Sequence, residues 1–433
     1  MSRDGDTFLP MQPSSLRSPL VSRTFSALRH RNYRLYFSGQ VFSLIGTWMQ
    51  IVAVGWLVLR ITNSPLLLGL VTAMETLPSL FFSLMAGAIA DVFDKRRIAI
   101  VTQSLAAVQA LLLGLLVFTG HATFWNIFAL ALFAGIVNAF DLPVRQSLIF
   151  DIVGVEDLLN ASALNSVVFN IARIIGPAIA AIIIESAGEA ANFFANAASY
   201  VFVVAALAAM RTEPVPIPED AHLILMRQAL DGVAYVARHP LLSRLFIALI
   251  VFSVFGFNYV LLMPVVVKLE LHRSAGALGL LLSCLGAGAL VGSLTLAGRG
   301  KTRLSSLSAM SFIFPASVIA FALAKTLPTA ALLVALLGFS MVQFVVRFST
   351  FLQTQSDGEM RGRVLGLYNM LLMGLSPLGS LQAGALAERF GASKALAIGA
   401  DICLLASLWL WMTRGATQHQ VATRPAQSLA ATK

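Results

Sequence analysis

The sequence predicts an all-α membrane protein with twelve transmembrane helices in two six-helix halves. Three observations predict it. The 433 residues are 58% hydrophobic and only 12% charged, with a mean hydropathy of +0.83, a composition that suits lipid rather than water as solvent. Apolar runs of about 20 residues recur along the chain, each long enough to cross a bilayer as a helix. Lys and Arg alternate between loops: about 22 of the 30 fall on one side, about 6 on the other and about 2 inside spans. Cations in short loops stay cytoplasmic. That asymmetry, rather than nucleic-acid binding, accounts for the formal net charge of +10.

Residues 1–35 are a polar arm carrying Arg3, Arg17, Arg23, Arg29, Arg31 and Arg34, read as a cytoplasmic anchor beside anionic lipid. The arm has no isolated short apolar core, so no signal peptide is expected. The first half, 36–210, holds spans 1 to 6 at 36–59, 66–90, 98–119, 124–144, 162–185 and 190–210. Residues 211–241 are a cytoplasmic linker. Its run Pro214-Val-Pro216-Ile-Pro218 cannot continue a helix. Leu223, Met226, Ala229, Leu230 and Val233 then recur at helical spacing opposite Arg227, Asp231 and Arg238, the pattern of a short amphipathic surface helix. The second half, 242–413, holds spans 7 to 12 at 243–267, 275–298, 304–324, 328–350, 364–387 and 393–413. Residues 414–433 are a polar cytoplasmic tail. An even number of crossings puts both ends inside a plasma membrane.

Several chemistries are set aside. Cys284 and Cys403 both lie in apolar runs, which argues against a disulfide framework. Gly300-Lys301-Thr302 imitates the end of a phosphate-binding loop, but position 295 is Thr where the first glycine belongs, and no strand precedes it. The six histidines fall in loops or ends without metal-ligand spacing. No enzyme activity, metal or cofactor is expected, and uphill transport would draw on an ion gradient.

Ionisable residues within spans cost several kcal/mol and usually face protein or water. Glu75 in span 2, Arg173 in span 5 and Asp401 in span 12 are therefore candidates for proton or substrate contact. Burial disfavours the charged form of a carboxyl group, which suits a proton carrier. Gln50, Asn170 and Gln343 are candidates for neutral hydrogen bonds to a substrate. The alternatives are a neutral hydrogen-bonded structural role for Glu75, pairing to Asp141, Glu75 or a carbonyl for Arg173, and structural packing for the other four. Asn170-Ile-Ala-Arg173-Ile-Ile-Gly176-Pro177 in span 5 answers Gly374-Leu-Ser-Pro377-Leu-Gly379 in span 11. Such a weak internal repeat, with Gly176, Pro177 and Pro377 as helix breaks, points to mobile helices lining a cavity.

The loop between spans 2 and 3 reads Gly87-Ala-Ile-Ala-Asp91-Val-Phe-Asp94-Lys95-Arg96-Arg97. It resembles motif A of the major facilitator superfamily, departing at Val92 where that family has Arg. Residues 167–181 resemble the Gly-Pro motif C of facilitator antiporters, with Ala180 and Ala181 in place of two glycines. Residues 28–37, 43–49, 141–146 and 359–364 resemble the bacterial enterobactin-exporter-like subgroup. The resemblance spans residues 25–413. It implies the major facilitator fold and a monomeric secondary transporter. Its expected activity is proton-coupled export of a small amphipathic molecule, siderophore- or drug-like, by alternating access. A passive or importing facilitator, or a non-transporting scaffold or receptor, stays open. The resemblance also implies a cytoplasmic gate of Gly87, Asp91, Lys95, Arg96, Arg97, Asp141, Arg145, Arg361 and Arg363. When that gate is closed, Asp91 is expected to face the start of span 11, and Arg96 or Arg97 to hold Asp141, with Arg145 joining that group.

The charge asymmetry makes one expectation about topology. Reporter fusions at the C-terminus and near Pro218 should both read cytoplasmic, and an outside signal from either would contradict the twelve-span arrangement.

Overall fold

The computed structural model describes residues 25–210, 231–296 and 303–413; the side chains of 83–84 and 86–92 fall outside the description. The basic arm to residue 24, the Pro-rich connector, Gly300–Thr302 and the tail from residue 414 also lie outside the described residues. Ten helical stretches are long and apolar enough to cross a membrane. One of them, Phe124–Ala208, has 85 residues, about 130 Å at helical rise, against a hydrocarbon core of about 30 Å. Gly154 and Gly188 divide it. Their φ values of 68° and 80° lie in the left-handed region, which a side chain disfavours. Three runs result, at the places of the expected spans 4, 5 and 6.

The remaining spans follow the apolar runs closely. Span 1 is Arg31–Thr62, span 2 Pro65–Val92 and span 3 Lys95–Phe118. Span 7 joins Pro240–Val251 to Tyr259–Val265 through a π-type turn at Phe252–Gly256, with a second such turn at Val266–Glu270. Spans 8, 9 and 10 are Ala275–Leu296, Leu304–Ala322 and Leu327–Gln355. Span 11 is Arg361–Gly374 plus Ser376–Phe390, and span 12 is Ala392–Met412. Most helices overrun the predicted ends. Span 4 does so most, because the predicted inner loop from Arg145 continues the helix to Gly154. On this extension Arg145 pairs with Asp141 of the same helix and Asp151 with Lys95 at the start of span 3.

Of the two predicted helix breaks, one is found. Span 11 is interrupted at Leu375, and Pro377 sits in the first turn of the new helix, where its missing N–H costs nothing. Span 5 runs unbroken through Gly176-Pro177. Pro177 cannot bond the Arg173 carbonyl, but span 8 comes close enough to compensate. The Ser283 hydroxyl donates to the Ile174 carbonyl at 2.7 Å. A Cβ on Gly286 would stand 3.1 Å from the Arg173 oxygen. Gly176 serves packing on the opposite side, where a Cβ would meet the Trp48 Cβ of span 1 at 2.6 Å.

The two halves meet along two seams, span 5 against span 8 and span 2 against span 11. One end of the bundle carries Lys95–Arg97, Arg303, Arg361 and Arg363, and is called the basic face. The far face carries Arg60, Glu185, Lys268 and Glu388. On the basic face the helix at 231–238 docks on the second half, through Arg363–Asp231 at 3.2 Å and Tyr235 to Asp357 at 2.9 Å.

Candidate functional site: the cleft between the halves

Both seams are sealed at the far face by one device used twice. Span 2 begins with Ser64 ahead of its first helical residue, and span 8 begins with Ser274 in the same place. Glu388, at the end of span 11, accepts from the Ser64 hydroxyl at 2.8 Å and from the Leu66 N–H at 3.2 Å. Glu185, at the end of span 5, accepts from the Ser274 hydroxyl and from the Gly276 N–H at 2.8 Å. A helix N-terminus presents free N–H groups and partial positive charge, so each carboxylate is well placed. Below each clasp the backbones touch. A Cβ on Gly69 would stand 2.5 Å from the Ser380 oxygen, and one on Gly279 would stand 2.6 Å from the Pro177 oxygen. Lys268 adds a third tie, donating to the Leu59 carbonyl at 2.6 Å and to Asn63 at 3.2 Å.

Toward the basic face the halves diverge. Ser162, Ser166, Asn170 and Arg173 fall on one stripe of span 5, the first two exposed and the others partly so. The stripe bonds back on its own helix, Ser166 to the Ser162 carbonyl at 2.9 Å and Asn170 to the Ser166 carbonyl at 2.8 Å. On span 11, Gly366, Asn369 and Met373 form an exposed stripe, and a Cβ on Gly366 would meet nothing within 4 Å. Polar side chains at this depth belong beside water, not lipid. The cleft therefore opens on the basic face and ends blindly at Arg173. There the guanidinium lies 5.8 Å from the Trp48 ring centre. Trp48 makes an edge contact with Phe169 at 5.8 Å, and Tyr259 of span 7 faces the same cation.

Several predicted site residues are placed elsewhere. Gln50 is bound inside the first half, donating to Gln109 at 3.1 Å and accepting from Asn196 at 2.7 Å. Gln343 is buried in the second half, donating to Thr295 and the Gly292 carbonyl and accepting from Arg347. Both are structural amides, because buried polar groups in a bundle find partners between helices. Asp401 lies on the exposed stripe of span 12 shared with Leu405, Leu408 and Met412, away from the cleft. Glu75 lies partly buried about 15 Å along span 2 from Pro65. Its carboxylate makes no hydrogen bond or ion pair among the described residues.

The predicted cytoplasmic gate separates into individual contacts. Asp94 caps span 3 through the N–H groups of Arg96 and Arg97 at 2.9 and 3.3 Å. Arg97 pairs with Asp94, and Lys95 with Asp151 of span 4 at 2.7 Å. Arg96 reaches the Leu207 and Ala208 carbonyls, both at 2.6 Å, where the last turn of span 6 has free acceptors. Neither Arg96 nor Arg97 holds Asp141 in this state, which is open on the basic face, whereas that contact is expected only when the face is closed. Asp141 is 2% exposed within the first half, paired with Arg145 at 2.6 Å and accepting from Thr102 and Gln103 at 2.7 and 2.8 Å. A carboxylate that deep needs partners closer than the loop can supply. Arg361 donates to the Gln353 carbonyl at 2.9 Å. The side chains of Gly87 and Asp91 lie outside the described residues.

The clasps were missed from sequence, although a signal was present. Ser64 and Gly69 are spaced as Ser274 and Gly279 are. Ser380, Gly384 and Glu388 are spaced as Pro177, Ala181 and Glu185 are. The repeat relates span 2 to span 8 and span 5 to span 11, and aligning spans 5 and 11 on Pro177 and Pro377 puts it three residues out of register.

Two six-helix halves around a cleft sealed at one face define a membrane transporter of the major facilitator fold. The chain belongs to the transmembrane secretion effector family of that superfamily, whose model matches residues 22–431. The staphyloferrin A transporter of Staphylococcus aureus is 27% identical, over 84% of this chain and 92% of that protein. The multidrug efflux pump Tap of Mycolicibacterium fortuitum is 26% identical, over 85% and 92%. The enterobactin exporter EntS of Shigella flexneri is 24% identical, over 84% and 89%. Among solved structures, the nucleoside transporter NupG shares the fold with a TM-score of 0.68 at 14% identity, over 89% of this chain and 98% of that one.

If the clasps hold the far face shut, removing both charges should open it. Spin labels at His121 and Lys325, on a background lacking Cys284 and Cys403, report the separation of the halves there. Each clasp contributes about 1 kcal/mol, so Glu185→Gln with Glu388→Gln should shift the open fraction roughly thirtyfold. An unchanged distance distribution would leave the clasps without a role in closure.

Proposed function

We propose that the chain is a proton-coupled exporter of a small amphipathic molecule, working by alternating access in the plasma membrane with its basic face in the cytoplasm. The carrying observation is the cleft: open on the basic face, polar along span 5 and sealed beyond Arg173. A molecule can enter such a cleft from one side only. Release requires the clasps to part and the basic end to close. Positive charge at loops belongs on the cytoplasmic side, which orients the open cleft inward. Membership of a secretion effector family, and relatives named as efflux pumps and siderophore exporters, support outward transport.

Glu75 is the proposed proton carrier. It is a carboxylate at mid-depth without a described partner, so its charge is not fixed by an ion pair. Export would exchange a proton entering at that carboxylate for a substrate leaving the cleft. Asp91 is the proposed partner of the start of span 11 when the basic face closes.

The test uses everted membrane vesicles with an acidic interior and a panel of siderophores and dyes. Uptake of at least one compound should depend on the gradient and collapse with a protonophore. Glu75→Gln should abolish that gradient-driven part with expression unchanged. Flux that ignores the gradient would instead indicate a facilitator, and full coupling in the variant would move the proton site away from Glu75.

A further inference from the structure

The blind end of the cleft carries a charge that its surroundings do not answer. Arg173 lies about 16 Å along span 5 from Ser162, well within the membrane. Among the described residues no carboxylate lies within ion-pairing distance of it, and its buried Nε has no hydrogen-bond partner. A guanidinium offers five N–H donors in a fixed fork. The neighbours are a Trp48 ring at 5.8 Å and the Tyr259 hydroxyl, which accepts a hydrogen bond from the guanidinium; neither is an anion. An uncompensated cation at this depth is costly, and its rigid fork matches the planar oxygens of a carboxylate.

The walls specify the rest of the ligand. Trp48 and Phe169 stand at an interplanar angle of 67°, giving an edge and a face to an apolar ring. Ser162, Ser166 and Asn170 lead from the open end to the cation. Gly176 lets span 1 approach span 5, where a Cβ would meet that of Trp48 at 2.6 Å, so the backbone fixes the ring beside Arg173.

We propose that Arg173, Trp48, Phe169 and Tyr259 form an anion-selective subsite that takes the carboxylate of a ligand bearing a flat apolar body. The proposal rests on the reading of the cleft as a transport path, and narrows the cargo to an anionic amphiphile. Trp48 does two things here. Its face spreads the guanidinium charge while the site is empty, and its edge borders the apolar body when the site is filled. The anion replaces water at the guanidinium rather than displacing a protein carboxylate, so binding breaks no existing ion pair among the described residues.

Three probes that share one ring system test it: naphthoate, naphthylmethanol and naphthylmethylammonium. Each is titrated into the full-length protein in lipid nanodiscs, with binding read by calorimetry. Naphthoate should bind about tenfold more tightly than either of the others. Arg173→Gln should remove that preference while leaving naphthylmethanol within about twofold, and Arg173→Lys should restore part of it. Trp48→Phe should weaken all three. Thermal unfolding of each variant checks that it is folded. Equal loss of all three probes in Arg173→Gln, tighter binding of the ammonium probe, or no saturable binding of naphthoate would overturn the proposal. Because this readout is binding, it is separable from the coupling experiment. Selective anion binding with gradient-independent flux would leave the subsite standing and overturn proton coupling.

Discussion

The fold depends on how closely two helix pairs can approach inside the membrane. Lipid supplies no hydrophobic force between helices, so small residues that bring backbones together carry much of the association. Here Gly69 and Gly384 join span 2 to span 11, and Gly276, Gly279 and Gly286 join span 5 to span 8. These contacts lie toward the far face, and Glu185 and Glu388 seal them with carboxylates on opposing helix starts. With the halves drawn together at that face, they must splay at the other. The cleft, its polar stripe and its blind end at Arg173 all follow from that one asymmetry of contact.

The two halves resemble each other in packing more than in sequence. Each clasp uses a serine before a helix, a glycine five residues on and a glutamate from the opposite half. The inner arrangement differs between halves. The first half buries the Asp141–Arg145 pair with Thr102 and Gln103. At the corresponding end of the second half, Arg347 contacts the amide of Gln343. An ion pair sealed within one half stiffens that half as a body, which suits a motion in which halves rock rather than bend.

The fold was readable because lipid imposes length and polarity on every span. The all-helical membrane class follows from the apolar runs, and the turn between spans 2 and 3 is shorter than expected, with Phe93 and Asp94 left outside the helices. Individual site residues were harder to read. Gln50 and Gln343 carry the same polarity whether they face a cavity or bind a neighbouring helix, and the sequence gives depth but not direction. The resembled gate groups Asp141 with Arg96 or Arg97 and with Arg145, and in this structure Arg145, one turn away on the same helix, takes the pair. Pro177 signalled a break, yet Ser283 and Gly286 of span 8 hold the helix straight. Arg173 and Asn170 share a stripe with Ser162 and Ser166, which helical spacing alone determines.

Among the described residues, the cleft opens on the basic face, between spans 5 and 11. The direct measurement is labelling of single cysteines at Ser166 and Asn369, on a background lacking Cys284 and Cys403, with a membrane-impermeant maleimide. Right-side-out and everted vesicles present opposite faces to the reagent. Both positions should react rapidly in everted vesicles and slowly in right-side-out ones. Equal or faster reaction from the outside would contradict the account.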